Sequence, residues 1–144
     1  LLANELKGIR EPGIVLTPPI SVTELNDGVL TATEIAQLEL NADWVILSAC
    51  NTAAADGELS NEAFSGLARS FFYAGTRTIL ASHWPVASQP TAEFVNLIIE
   101  EYFKKNVGKA EAHKRAIKTF VQAQNELYSH PSIWGPFSII GDGS

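Results

Sequence analysis

Apolar positions in this chain follow two periods. Phe64, Leu67, Ala68, Phe71 and Phe72 fall at i, i+3, i+4, i+7 and i+8, a helical stripe, and Gly75 follows as its left-handed stop. On either side the pattern becomes continuous. Asp43 to Cys50 holds Trp44, Val45, Ile46 and Leu47 between polar flanks, as in a strand buried on both faces of a parallel sheet. Thr76 to His83 is a second, β-branched run, ended by Trp84 and Pro85. Strand, helix and strand at this spacing predict a right-handed parallel crossover, with Cys50 and His83 both at carboxyl ends of strands.

Downstream, Thr91 to Phe103 and Lys109 to Leu127 read as two helices separated by Asn106 to Gly108. Phe94, Val95, Ile98 and Tyr102 form the buried face of the first; Ala116, Ile117, Phe120 and Val121 form that of the second. Trp134 to Ile140 is expected to be the last strand, and Pro136, which has no donor for a ladder, places it at an edge. Upstream, Gly13 to Leu16 is a short apolar run amid Gly8, Pro12, Pro18, Pro19 and Asn26 to Gly28, hence a short strand in a hairpin or flap. Thr31 and Glu34 match a capping box and predict a short helix from Ala32 to Leu38, with Ile35 and Leu38 inward. No internal repeat or linker interrupts residues 1–144, so one α/β domain is expected.

Composition narrows the classes. In 144 residues, 46% hydrophobic and 18% charged content suits a chain with a real core rather than a disordered one. A net charge of −6, with the basic residues scattered, argues against a surface that tracks phosphates, so no direct nucleic-acid partner is expected. Lys104, Lys105, Lys109, Lys114, Arg115 and Lys118 alternate with Glu100, Glu101 and Glu111 and read as a solvated helix face. The single cysteine cannot form an internal disulfide, which suits a reducing cytoplasm. No run approaches the ~18 apolar residues of a membrane span. The chain has no methionine and starts at Leu1, so it is expected to continue a longer translation product.

In open α/β sheets, ligands bind beyond the carboxyl ends of the strands, which draws attention to Cys50. A free cysteine is commonly just a small buried hydrophobe. A nucleophile instead needs an exposed sulfur beside free backbone N–H groups, and Asn51, Thr52 and the small-residue loop to Leu59 offer that setting. Of the histidines, only His83 is placed for chemistry, as a lining of the cleft or as a partner of the thiol. Alternation prevents His83 and Trp84 from both facing the crevice if the strand stays regular. His113 is expected to face solvent, and His130, before Pro131, to cap or pack a turn. Three histidines without a paired cysteine form no recognisable metal site, and no phosphate loop is present, so no metal or cofactor is expected.

Val45 to Thr52 resembles the nucleophile strand of CHAT domains, relatives of caspases and separases that often follow tetratricopeptide arrays. Leu67 to Gly75, Ser82 to Val86, His130 to Phe137 with Gly141, Pro12 to Thr17 and Asp27 to Thr31 are similar to the same family in the same order, so the resemblance covers essentially the whole chain. It implies a caspase-like three-layer α/β sandwich, with a mostly parallel sheet and helices on both faces. It implies a cytoplasmic, bacterial cysteine peptidase that cuts a protein or peptide substrate with a Cys/His dyad, with Cys50 catalytic and Asn51, Ser82, His83 and Trp84 binding substrate. The family's histidine precedes a glycine on the strand before the nucleophile strand, and the pattern places that pair just before Leu1. On that expectation, residues 1–144 are the carboxyl-terminal portion of the domain and nearly inactive alone, with an upstream sensor or tetratricopeptide region in the same polypeptide.

Relatives that cut after arginine or lysine carry acidic residues where this chain has Ala87 and Ser88, which weakens basic specificity; Asp56 and Glu58 are the remaining source of charge. Two other classes stay open at this point. One is a non-catalytic caspase-like interaction module, the other a generic α/β small-molecule binder in which Cys50 would be inert to alkylation.

Overall fold

The computed structural model describes residues 11–17, 19–21, 23, 27–47, 59–85 and 87–144, with backbone only for 59–65. It divides into two compact units, Leu1–Asp43 with Ala53–Arg77, and Trp44–Thr52 with Thr78–Ser144.

In the first unit, β1 (Gly13–Val15) pairs antiparallel with β2 (Val29–Thr31), Gly13 opposite Thr31 and Val15 opposite Val29. This is the expected hairpin. Its closing end is held by Leu16 N–H to Gly28 C=O at 2.8 Å and Val29 N–H to Asp27 Oδ1 at 2.8 Å, with Gly28 at φ 84°. The chain passes from β2 straight into α1 (Ala32–Ala36) through the predicted capping box. Glu34 N–H donates to Thr31 Oγ1 at 3.3 Å, and Thr31 N–H donates to Glu34 Oε2 at 2.8 Å. Glu11 adds a second clasp, its Oε2 accepting from Thr33 N–H at 2.9 Å and Thr33 Oγ1 at 2.7 Å. Ile35 is fully buried, but Leu38 is 38% exposed. The helix ends at Ala36, two residues short of the expected end, so Leu38 lies beyond the face that Ile35 occupies.

α2 (Leu59–Tyr73) buries Leu67, Ala68 and Phe71, and Gly75 at φ 93° terminates it as expected. Gly75 N–H to Phe72 C=O and Thr76 N–H to Phe71 C=O, both 3.0 Å, satisfy carbonyls at its end.

The second unit contains the sheet β3 (Val45–Leu47), β4 (Thr78–Ser82) and β5 (Phe137–Gly141), in that spatial order. β3 and β4 run parallel, with Leu47 opposite Ala81; β4 and β5 run antiparallel, with Ser82 opposite Phe137. Among the described residues the sheet is therefore mixed, one parallel pair beside one antiparallel pair, where the sequence suggested mostly parallel pairing. Among the described residues β5 is an edge strand of this sheet, as Pro136 suggested, but it begins at Phe137 rather than Trp134. Residues Pro131–Trp134 instead form a helical turn, α6, with proline in the first-turn position it favours.

α3 (Ser88–Lys105) and α4 (Lys109–Val121) supply the core of this unit. Phe94, Ile98, Ala112 and Ala116 are fully buried with Leu80, Phe120, Ile133 and Phe137 around them. Phe94 is the hub, its ring centroid 5.1 Å from Phe120 and 5.0 Å from Phe137. The second helix stops at Val121 instead of Leu127. Asn125 then starts α5 (Glu126–Ser129) by accepting from Leu127 N–H at 3.0 Å, and Val121 is left 47% exposed. His113 also departs from expectation. It is half-buried and edge-on to Phe94, centroids 5.8 Å apart at 77°, and its Nε2 is buried with no hydrogen-bond partner. Its position, four before Ile117 and seven before Phe120, places it at the margin of the apolar stripe despite charged neighbours in sequence.

Candidate functional site

Because β3 and β4 are parallel, their carboxyl ends point the same way, and the residues that follow β4 mark the end at which open α/β sheets bind ligands. Ser82 is the last residue of β4 and is 2% exposed, bound into the ladder opposite Phe137. His83 continues the strand line, its N–H donating to Pro136 C=O at 2.9 Å. Ala81 lies opposite Ser138, so His83, two residues on, shares that face. Its Nε2 meets Ser138 Oγ at 2.7 Å, a contact that fixes the imidazole's orientation.

Trp84 lies two residues beyond the end of β4 and takes a different set of partners. Its Nε1–H donates to Ser132 C=O at 3.2 Å while 42% of the residue stays exposed. The indole thus has one end tied down and a face open to solvent, the usual arrangement for an amphipathic contact surface. The Ser132 carbonyl is itself placed by α6. His130 caps that turn as expected, its Nδ1 accepting from Ser132 N–H at 3.2 Å and meeting Ser132 Oγ at 2.8 Å. Gly135 closes the turn with its N–H to Pro131 C=O at 2.7 Å, and the position has no room for a side chain. A Cβ there would stand 2.6 Å from the Pro131 oxygen and 3.6 Å from Trp84 Cζ2.

The structure therefore brings Ser82, His83 and Trp84 to the sheet end where they were expected, with Ser82 buried and Trp84 partly exposed. Cys50 and Asn51 lie outside the described residues, as do Asp56 and Glu58. Ala87 and Ser88 are both exposed at the start of α3, and Ala87 offers no side-chain cap. Sequence reasoning missed Ser138 and Ser132, the partners of His83 and Trp84. Ser138 had a legible signal, being the one polar position between Phe137 and Ile139; Ser132 acts through its carbonyl and had none.

Burial pushes the His113 imidazole below its ordinary value. Hydrogen bonds and charge from Lys104 hold Glu100 low, and those from Arg115 and Lys114 hold Glu111 low. Among the described residues, no group of histidine, cysteine or carboxylate side chains is clustered to hold a metal ion, and no helix is long and apolar enough to cross a membrane.

Comparison with known proteins gives a consistent result. The chain is similar to tetratricopeptide repeat protein 28 of Mus musculus, 31% identical over 117 residues, and to tetratricopeptide repeat protein 28 of Homo sapiens, 28% identical over 117 residues. Each match covers 81% of this chain but only 5% and 4% of those relatives, so the chain spans about a twentieth of the curated relatives it matches. Both are mammalian, whereas the sequence resemblance suggested a bacterial source. No solved structure matches the chain. The CHAT domain family is matched over residues 5–142, nearly the entire sequence, and the chain belongs to that family.

Proposed function

We propose that the chain is a caspase-like cysteine peptidase domain in which Cys50 is the nucleophile acting on a protein or peptide substrate. In the first step the thiolate forms a bond to the scissile carbonyl carbon, and the amine leaves with a proton from an imidazolium; water then releases the acyl group from sulfur. The family pattern assigns that imidazole to a histidine ahead of the nucleophile strand, whereas His83, His113 and His130 all follow it. His83 and Trp84 are read as cleft lining, with Asn51 beside the nucleophile. Ser82, buried in β4, contributes by holding the strand end in place. The reading takes residues 1–144 as one cytoplasmic domain of the caspase-like three-layer class, linked in the same polypeptide to a tetratricopeptide region, as the names of its relatives suggest.

The observation that carries this reading is the parallel pairing of β3 with β4. The carboxyl end of β3, at Leu47, thereby lies at the same end of the sheet as His83 and Trp84, and Cys50 follows Leu47 by three residues in sequence. The test compares the full-length polypeptide with its Cys50→Ala variant on a peptide-library substrate set. Cleavage by the first alone supports the proposal; equal turnover by both, or none by either, defeats it.

One observation favours a second reading, a binding module without catalysis. The imidazole nearest the strand end, His83, has its Nε2 engaged by Ser138. A module predicts that Cys50→Ala leaves peptide binding intact and that no substrate is cut by the parent.

A further inference from the structure

The first unit contains a groove of about 420 Å³ between α1 and α2, large enough for one side chain with its backbone. Its apolar surface comes from Ala32, Ala36 and Gly66. Gly66 leaves it open, since a Cβ there would touch only Pro12 Cγ, at 3.5 Å.

The polar groups along this groove divide into those already used and those still free. Ser70 Oγ donates to Gly66 C=O at 3.1 Å; Glu11 Oε2 accepts from Thr33 N–H and Oγ1, and Glu11 remains a carboxylate in the lining, so the groove's positive charge is concentrated at Arg69. Arg69 is different. Among the described residues the other two arginines are ion-paired, Arg77 with Asp43 and Arg115 with Glu111 and Glu101, but Arg69 has no such partner and lies beyond ion-pair distance of Glu11. Tyr73 lies one turn along the same helix face and is 80% exposed, with no described hydrogen bond to its hydroxyl. Gln37, on the opposite lip, is likewise free among the described residues.

A free guanidinium, a phenol and an amide around an apolar floor make a donor-rich groove that matches an acceptor with a short aliphatic stem. We infer that this groove binds an acidic peptide segment, with a glutamate-type carboxylate held by the Arg69 fork, assisted by Tyr73, and its methylenes laid on Ala32, Ala36 and Gly66. Planar bidentate pairing is what distinguishes arginine from lysine in such a role. The inference stands on the first unit alone and does not depend on catalysis by Cys50.

Fluorescence anisotropy with a labelled peptide of alternating alanine and glutamate, and its glutamine counterpart, tests it. The acidic peptide should bind at least tenfold more tightly than the neutral one. Arg69→Gln should remove that preference, Arg69→Lys should retain part of it, and Lys105→Gln, a change to an exposed cation on α3, should leave it unchanged. Gly66→Leu, which fills the floor without altering charge, should weaken the acidic peptide by a similar factor. Equal binding of the two peptides, no binding of either, an unaffected Arg69→Gln variant or an equal loss from Lys105→Gln would each overturn the inference.

Discussion

The α3–α4 layer and the β1–β2–α1 segment are held together by different physical means. In the former, long amphipathic helices bury aromatic rings against one another, and Phe94 touches three other rings from a fully enclosed position. In the latter, elements of three to five residues are joined by side-chain clasps, Thr31 with Glu34 and Glu11 with Thr33, while Val15, Leu16 and Ile20 remain exposed. Apolar burial is non-directional and grows with area, so it suits long helices; short segments bury too little and depend on hydrogen bonds of defined geometry. Substitutions in the two regions should therefore differ in size.

The largest effect is expected at Phe94. Phe94→Ala empties a site bounded by Phe120, Phe137 and His113 and should cost about 3–5 kcal/mol of stability, read as a lower midpoint in urea denaturation. A loss under about 1 kcal/mol would mean that the layer is not the packed hub described. Thr31→Ala removes one half of the capping box and should cost about 1 kcal/mol, a cap-sized loss in the same assay. If it matched Phe94→Ala, the contrast between the regions would be wrong.

Gly66→Ala should move stability the other way, by about 0.5–1 kcal/mol, since a helix-interior glycine gives way to alanine with only an ordinary contact to Pro12. The smallest effect concerns pH. The folded His113 resists protonation because it is buried, so the unfolded chain takes up the proton first as pH falls below the ordinary value near 6.5. Stability is thus full above that value and declines on acidification through it, before Glu100 and Glu111, held below 4.5 in the fold, begin to lose their own contribution. His113→Leu should flatten the slope of Tm between pH 7.5 and 5.5, and an unchanged slope would show that the imidazole is not the titrating group.

These differences also show what could be read in advance. The capping box and the glycine stop at Gly75 are each set by residues close in sequence, whose donors, acceptors and φ angles leave few alternatives. The early end of α1, the break after Val121 and the helical turn at Pro131–Trp134 were harder to see, since apolar residues at Leu38, Leu127 and Trp134 extend each pattern past the point where the chain turns. The inward position of His113 has the same origin, with charged neighbours in sequence and Phe94 beside it in space.

By itself the sequence determined the family, the α/β class, and the arrival of Ser82, His83 and Trp84 at one end of a strand. Tertiary structure alone decided that, among the described residues, the sheet is mixed, Ser138 orients His83, a backbone carbonyl on a closed glycine turn anchors Trp84, and Arg69 is left without an ion-pair partner. Periodicity and capping are local, so they can be read along the chain. A hydrogen bond between residues 55 positions apart, as between His83 and Ser138, exists only once strand order and register have brought them together.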